Sequence, residues 1–434
     1  MLQRHHQLQE VKAKKLYPRL VLFKALSRFK DKSKPRHRSH DPICDARRDF
    51  LDAFAYLCDI QKDGKTVTAA ALQKLTESNF LWLAANEGIS DDIMSYAGQV
   101  LKQLKTANAE NRRFVQDAIF NLAVEKCASR IRFYKNQVRN HARSCVMTLE
   151  NRERDEIVTL LRRKLGRLAK PPANFTTEAY VDLCYDMRSE EINHIKAYSS
   201  KTDDDFEKLA HYTWRIGATR AAANIVVEAM LALPSLRRIS HIRRVDEPVV
   251  VQKTLHATCT SPHKLLHRIF TDSASRNPLS FQQPFHRLYE LDPPLTRPIH
   301  TVMTASENIV TRVHAELQIA DTFSRAQDIK FVDNDKYIGC SKPACYFCYT
   351  WLCNHKHRYV EPATHYKVIP GCRGPDHDLN ESGAGVMVEM YGRVSRQVGQ
   401  DILEFLQRSG ESRVQYMSTD AGSRAPSRLS VLGS

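Results

Sequence analysis

Residues 337–353 read YIGCSKPACYFCYTWLC, and the spacing Cys340-x4-Cys345-x2-Cys348-x4-Cys353 restricts this segment more than any other in the chain. Thiols so close together are bridged, hold a metal or pack as small buried groups. The chain has eleven cysteines, an odd count without the spacing of a disulfide framework, and its opening MLQRHHQLQEVKAKK lacks the apolar core of a secretory signal. The expectation is an intracellular protein, cytoplasmic or nuclear and not secreted, with reduced thiols; there a tight cluster is more often metal-binding than bridged. Read as strand, turn and helix, the segment has Tyr337–Gly339 extended, Ser341 as N-cap and Pro343 in the first turn. Cys345 and Cys348 then share one helix face, and their thiols meet near the N-terminus, where the macrodipole favours the metal-binding thiolate form. Cys340 and Cys353 do not converge on that point and are expected to be small buried residues.

Two thiolates do not complete a tetrahedral site. A catalytic zinc commonly has three protein ligands and one open place. The third ligand is expected from a neighbouring element, and His314 in Thr311-Arg-Val-His-Ala-Glu316, at the start of the preceding helix, is the candidate, with Glu316 facing the same cavity.

His314-Ala315-Glu316 followed by Pro343-Ala344-Cys345-Tyr346-Phe347-Cys348 resembles the H-x-E…P-C-x-x-C signature of the zinc nucleobase deaminases, the cytidine deaminase-like superfamily. More narrowly, HAEL followed by YIGCSK-x-x-C-x-x-C behind a long helical region is similar to a deaminase-like family expanded in fungi. The resemblance covers about residues 290–408 at motif level. It implies Zn2+ held by His314, Cys345 and Cys348, a bound water of lowered pKa, and Glu316 as general base and then acid. It further implies hydrolytic deamination of a cytosine- or adenine-type base in a nucleotide or nucleic acid, with substrate contacts at Ala315 and Ala344. One departure is visible: in most such enzymes proline directly precedes the first cysteine, whereas here Ala344 intervenes.

Two other readings of the cysteines stay open. Cys340-x4-Cys345-x2-Cys348 matches a plant-type iron–sulfur spacing, with Cys353 or Cys372 as fourth ligand. Against it, Tyr346, Phe347, Tyr349 and Trp351 ask for a packed helix, and His314 and Glu316 are left unexplained. The other reading is a catalytically inactive, zinc-stabilised interaction module, for which Glu316 would be superfluous. Phe347, Tyr349 and Trp351 are expected in the core rather than stacked on a base. Cys372, in PGCRGPDHD, has no assigned role.

The rest of the chain supplies the frame. A hydrophobic fraction of 42% and a charged fraction of 26% over 434 residues suit two or three globular domains. No run is long and apolar enough to span a bilayer. Residues 1–40 hold twelve Lys/Arg against Glu10 and Asp31, most of the net charge of +16. Residues 1–45 therefore read as a basic, partly disordered arm, with Leu16, Leu20, Phe23 and Leu26 at helical spacing. Its charge suits nucleic acid, an acidic surface, an address signal or a solvated tail equally well. Residues 46–235 read as a helical domain, in which TVTAAALQKLTESNFLWLAANEG is a helix closed by Gly88 and Ser90 caps the next. Val124, Cys127, Ile131, Tyr134 and Val138 mark one apolar face. A long helix runs from Phe206 to Leu233 and stops at Pro234. Arg237-Arg238 and Arg243-Arg244 suit a phosphate path or a solvated linker. Residues 245–408 alternate strands, at Val249–Val251 and Pro298–Met303, with helices at His314–Phe323 and from Met387 to Phe405. Residues 409–434 read as a disordered tail. The expected class is α+β: an all-α N-terminal domain, then an α/β/α three-layer deaminase-like domain with a mixed sheet.

Overall fold

A computed structural model describes residues 2–26, 34–151, 156–198, 205–246, 252–256, 261–272, 279–306, 308–326 and 328–407. The tail expected at 409–434 and the strand expected at Val249–Val251 lie outside them. The class is α+β, with an open mixed sheet. The chain forms two units, and each takes discontinuous stretches: one is drawn from residues 38–246 and 329–342, the other from residues 2–37, 247–328 and 343–407.

In the first unit the helix Asp205–Ala232 is the central pillar, packed by Pro42–Cys58, Arg112–Lys126, Ala128–Glu150 and Thr177–Asp186. Val124, Cys127, Ile131, Tyr134 and Val138 are all buried, although Cys127 divides their stretch into two helices. Ser90 caps Asp91–Thr106 by accepting from the Ile93 amide, as its position suggests. The segment before it is not a helix. Thr68–Lys74 and Asn79–Ala85 pair as an antiparallel hairpin, and Gly88, at φ +89°, turns the chain after a strand. Six consecutive residues from Thr68 are buried. A strand covered on both faces loses the alternation that marks strands, so its alanines imitate a helix. Ile239–Arg244 joins the hairpin in parallel. This strand carries Arg243 and Arg244: Arg243 lies over the Phe80 ring and Arg244 pairs with Asp91.

The residues leading into the cysteine cluster complete this sheet. Gly339–Cys340 pairs antiparallel with Ala69 and Ala70. Asp52 fixes them, accepting from the Tyr337 hydroxyl at 2.6 Å and the Cys340 amide at 2.7 Å. Gly339 is required by proximity, since a Cβ there would lie 2.5 Å from the Leu51 Cβ.

In the second unit Gln252–His256 pairs antiparallel, and Cys372–Arg373 parallel, with the strand Asn308–Val313. Helices Ala315–Arg325, Tyr346–Asn354 and Glu381–Gln407 belong to the same unit. Pro298–Met303, expected as a strand, lies in the helix Pro298–Ala305, whose start is held by Asp292 accepting from the Ile299 and His300 amides. Residues 2–26, expected within a basic arm, are helical here: Leu2–Glu10, a π-helical stretch Val11–Leu16, and Tyr17–Leu26. Leu16, Tyr17, Leu20, Val21, Leu22, Phe23 and Leu26 are each 0% exposed. Tyr17, Val21 and Leu22 fill the faces between the spaced leucines, and a helix apolar all round is a core helix. Two of its charges are internal: Lys12 pairs with Asp376 at 2.6 Å and Arg19 with Asp272.

Candidate metal centre

Strand Asn308–Val313 ends immediately before His314, which is the extended N-cap of helix Ala315–Arg325 rather than part of it. Its carbonyl accepts from the amides of Leu317 and Gln318. Glu316 therefore falls in the first turn. Cys345, not Ser341, caps the next helix, Tyr346–Asn354, and its sulfur accepts from the Cys348 amide at 3.5 Å. The two helix N-termini thus bring His314, Cys345 and Cys348 to one place. A fourth side chain arrives from the sheet: parallel pairing sets Cys372 beside Arg312, and the Arg312 amide donates to the Gly371 carbonyl at 2.8 Å.

His314 Nδ1 lies 3.6 Å from Cys345 Sγ and 3.4 Å from Cys348 Sγ, and Cys348 Sγ lies 3.4 Å from Cys372 Sγ. All four donor atoms are within 4.8 Å of one another, and all four residues are buried. Tetrahedral zinc with Zn–S of about 2.3 Å and Zn–N of about 2.0–2.1 Å sets N···S near ~3.6 Å and S···S near ~3.8 Å. One imidazole nitrogen and three sulfurs at these separations fit a tetrahedral, thiophilic cation such as zinc.

Charge in the cluster is shared. Burial opposes an imidazolium at His314, but Cys372 and Cys345 outweigh it and hold the pKa well above the usual histidine range. Burial also opposes the Cys345 thiolate. Donation from Cys348 and Cys372, together with His314, reverses this and holds Cys345 well below an ordinary thiol. Cys348 and Cys372 move upward, chiefly through burial and then through the neighbouring Cys345; Cys372 reaches about 12. A metal takes the thiolates and a neutral imidazole, so binding a cation here releases protons from the group. Glu316, only 5% exposed, is raised by burial, with His314 opposing.

The other sequence candidates separate clearly. Cys340 belongs to the other unit and sends its thiol towards the Ile338 carbonyl, while Cys353 is exposed, so neither packs as a buried residue and neither is in the four-donor group. The iron–sulfur spacing thereby lacks its first cysteine. Phe347 and Trp351 are buried against Tyr391, as core residues. Ala315 is buried beside His314. Ala344 is buried too, its amide donating to Ala363 and its carbonyl accepting from Thr364 and His365, so its backbone is engaged internally. Cys372 is the member that spacing did not reveal. A cysteine in the strand-poor loop PGCRGPDHD gives no local sign of pairing with Arg312.

Residues 313–376 match the family model described as OTT_1508-like deaminase. Searches of curated proteins and of solved structures gave no match. The matched stretch opens one residue before His314 and contains all four donors and Glu316. The part of the chain that carries this group is thus similar to a deaminase family.

Proposed function

We propose that the protein is a zinc-dependent hydrolytic deaminase acting on a cytosine- or adenine-type base, in a nucleotide or nucleic acid. The observation that carries the reading is Glu316, a buried carboxyl two residues from His314 whose helix start adjoins the one bearing Cys345 and Cys348. His314, Cys345 and Cys348 would hold the metal. Zinc at such a site lowers the pKa of water into the neutral range. Glu316 would take a proton from the attacking water and give it to the ring nitrogen, and would then carry the proton of the new hydroxyl to the amino group, so that the C–N bond breaks and ammonia leaves as the C=O bond forms. A raised pKa suits this exchange, because the carboxyl must both gain and release a proton near neutral pH. Burial keeps bulk water away from the transfer.

The N-terminal charge supports a nucleic acid partner less than its count suggests, since Lys12 pairs with Asp376 and Arg19 with Asp272. No described helix is long and apolar enough to cross a membrane, and the reduced, metal-suited thiols favour an intracellular setting. The test combines metal analysis with ammonia release on a panel of nucleosides, nucleotides and oligonucleotides. His314→Ala, Cys345→Ala and Cys348→Ala should each lose stoichiometric zinc. Glu316→Gln should keep zinc and lose about 10²–10⁴-fold in turnover. Zinc retained without His314, or full turnover without Glu316, overturns the assignment.

A further inference from the structure

We propose that Cys372 closes this site: in the folded protein its sulfur takes the fourth metal position, and the site admits a small ligand only when Cys372 withdraws. The inference rests on the zinc reading above and adds a regulated state to it. Catalytic zinc sites keep one position open, whereas four protein ligands mark closed ones. Here the fourth donor is already in place, 3.4 Å from Cys348 Sγ and inside the same 4.8 Å group. A purely structural closed site gives no reason for Glu316 beside it, since burying a carboxyl is costly without a use. A closed site with a proton-transfer residue ready at its edge is one that opens.

The four donors are also held differently. His314, Cys345 and Cys348 stand at the starts of helices of eleven and nine residues. Cys372 stands on a strand of two residues, in a stretch between Asn354 and Glu381 that has no helix. Besides its short pairing with Arg312, its backbone is held by the Ile369 carbonyl, accepting from its amide at 3.1 Å, and by a 3.4 Å bond from the Tyr17 hydroxyl to its carbonyl. Just downstream, Asp376 is tied to Lys12 and the Gly374 amide to the Tyr391 hydroxyl. The N-terminal helices therefore grip the segment carrying the removable ligand, whereas the other three ligands are seated in rigid elements. Loosening that grip frees Cys372 and leaves the three-ligand site intact.

X-ray absorption on the zinc-loaded wild type should count three sulfurs and one nitrogen. In the cobalt(II) form, Cys372→Ala should lose thiolate-to-metal absorption corresponding to one sulfur, and azide should perturb the d–d bands of the variant and not of the wild type. Turnover of the Cys372→Ala protein should rise about tenfold or more if the open state of the wild type is a minor one, populated at about 10% or below. Two sulfurs in the wild type, an unchanged cobalt spectrum in the variant, or equal azide access in both overturns the proposal. The wild-type measurement decides the first point even if the variant fails to fold. Failure of the deaminase reading looks different: cobalt and azide behave as expected, and no substrate releases ammonia.

Discussion

Replacing Lys12 by methionine tests whether the basic N-terminal segment is a core element. The ammonium lies 2.6 Å from Asp376, and the two side chains are 1% and 2% exposed. Breaking a buried pair by removing one partner costs about 3–5 kcal/mol, because the other charge stays buried. Asp376 keeps Arg373 and the Tyr391 hydroxyl at 2.9 Å, so the cost falls at or just below the bottom of that range, about 2–3 kcal/mol. For a unit of this size that is roughly 5–10 °C in Tm, read by calorimetry or circular dichroism. Lys14→Met is the control: Lys14 is 65% exposed, and its loss should leave Tm unchanged. A Lys12→Met/Asp376→Asn double variant should cost less than the sum of the two single variants, since both remove the same pair. Burial works to raise the Asp376 pKa, but Lys12 and Arg373 prevail and hold it below the ordinary carboxylate value of 3.8. A depressed folded pKa means that this stabilisation is present above about pH 4 and fades as pH falls through the lower folded value. Equal Tm values for Lys12→Met and Lys14→Met would refute the reasoning and return the segment to a solvated arm.

Gly339→Ala should destabilise the first unit by about 1–3 kcal/mol, measured by denaturant unfolding, because the new Cβ meets Leu51 side chain and backbone at 2.5 and 2.6 Å. His211 is held down to about 3, first by burial and then by Arg215 and Lys196. The unfolded chain therefore binds a proton near pH 6.5 that the native state refuses. Stability should fall by about 1.4 kcal/mol per pH unit on acidification through that window, and His211→Gln should remove that part of the slope. Incubation with a strong chelator should lower Tm in the wild type and leave the Tm of Cys345→Ala unaffected, because only a protein that holds the metal gains stability from it.

What was legible in the sequence was local. His314 and Glu316, and Cys345 and Cys348, are joined by short spacings at the starts of helices, so their residue types and separations carry their geometry. The strand leading into Cys340 was visible, but not its partner, because pairing of Gly339 with Ala70 depends on a hairpin hidden by alanines. Cys372 was hidden for the same physical reason: its place is set by parallel pairing with Arg312, which leaves no periodic trace. In the N-terminal segment, charge counting outweighed an apolar run that was already informative. Lys12 and Arg19 are compatible with burial only because Asp376 and Asp272 meet them, and no local pattern announces such distant partners.

The Lys12–Asp376 pair also has a meaning in time. Its members are separated by 364 residues, and at ribosomal rates of about 5–20 residues per second, Asp376 emerges roughly 20–70 s after Lys12. For most of that interval Tyr17–Leu26 lacks the helices it packs against, Pro298–Ala305 and Glu381–Gln407, while the first unit gains nearly all of its chain. During that time this helix is the segment most in need of chaperone protection. Truncation before Pro298, ahead of both of these helices, should leave that helix sticky rather than merely incomplete.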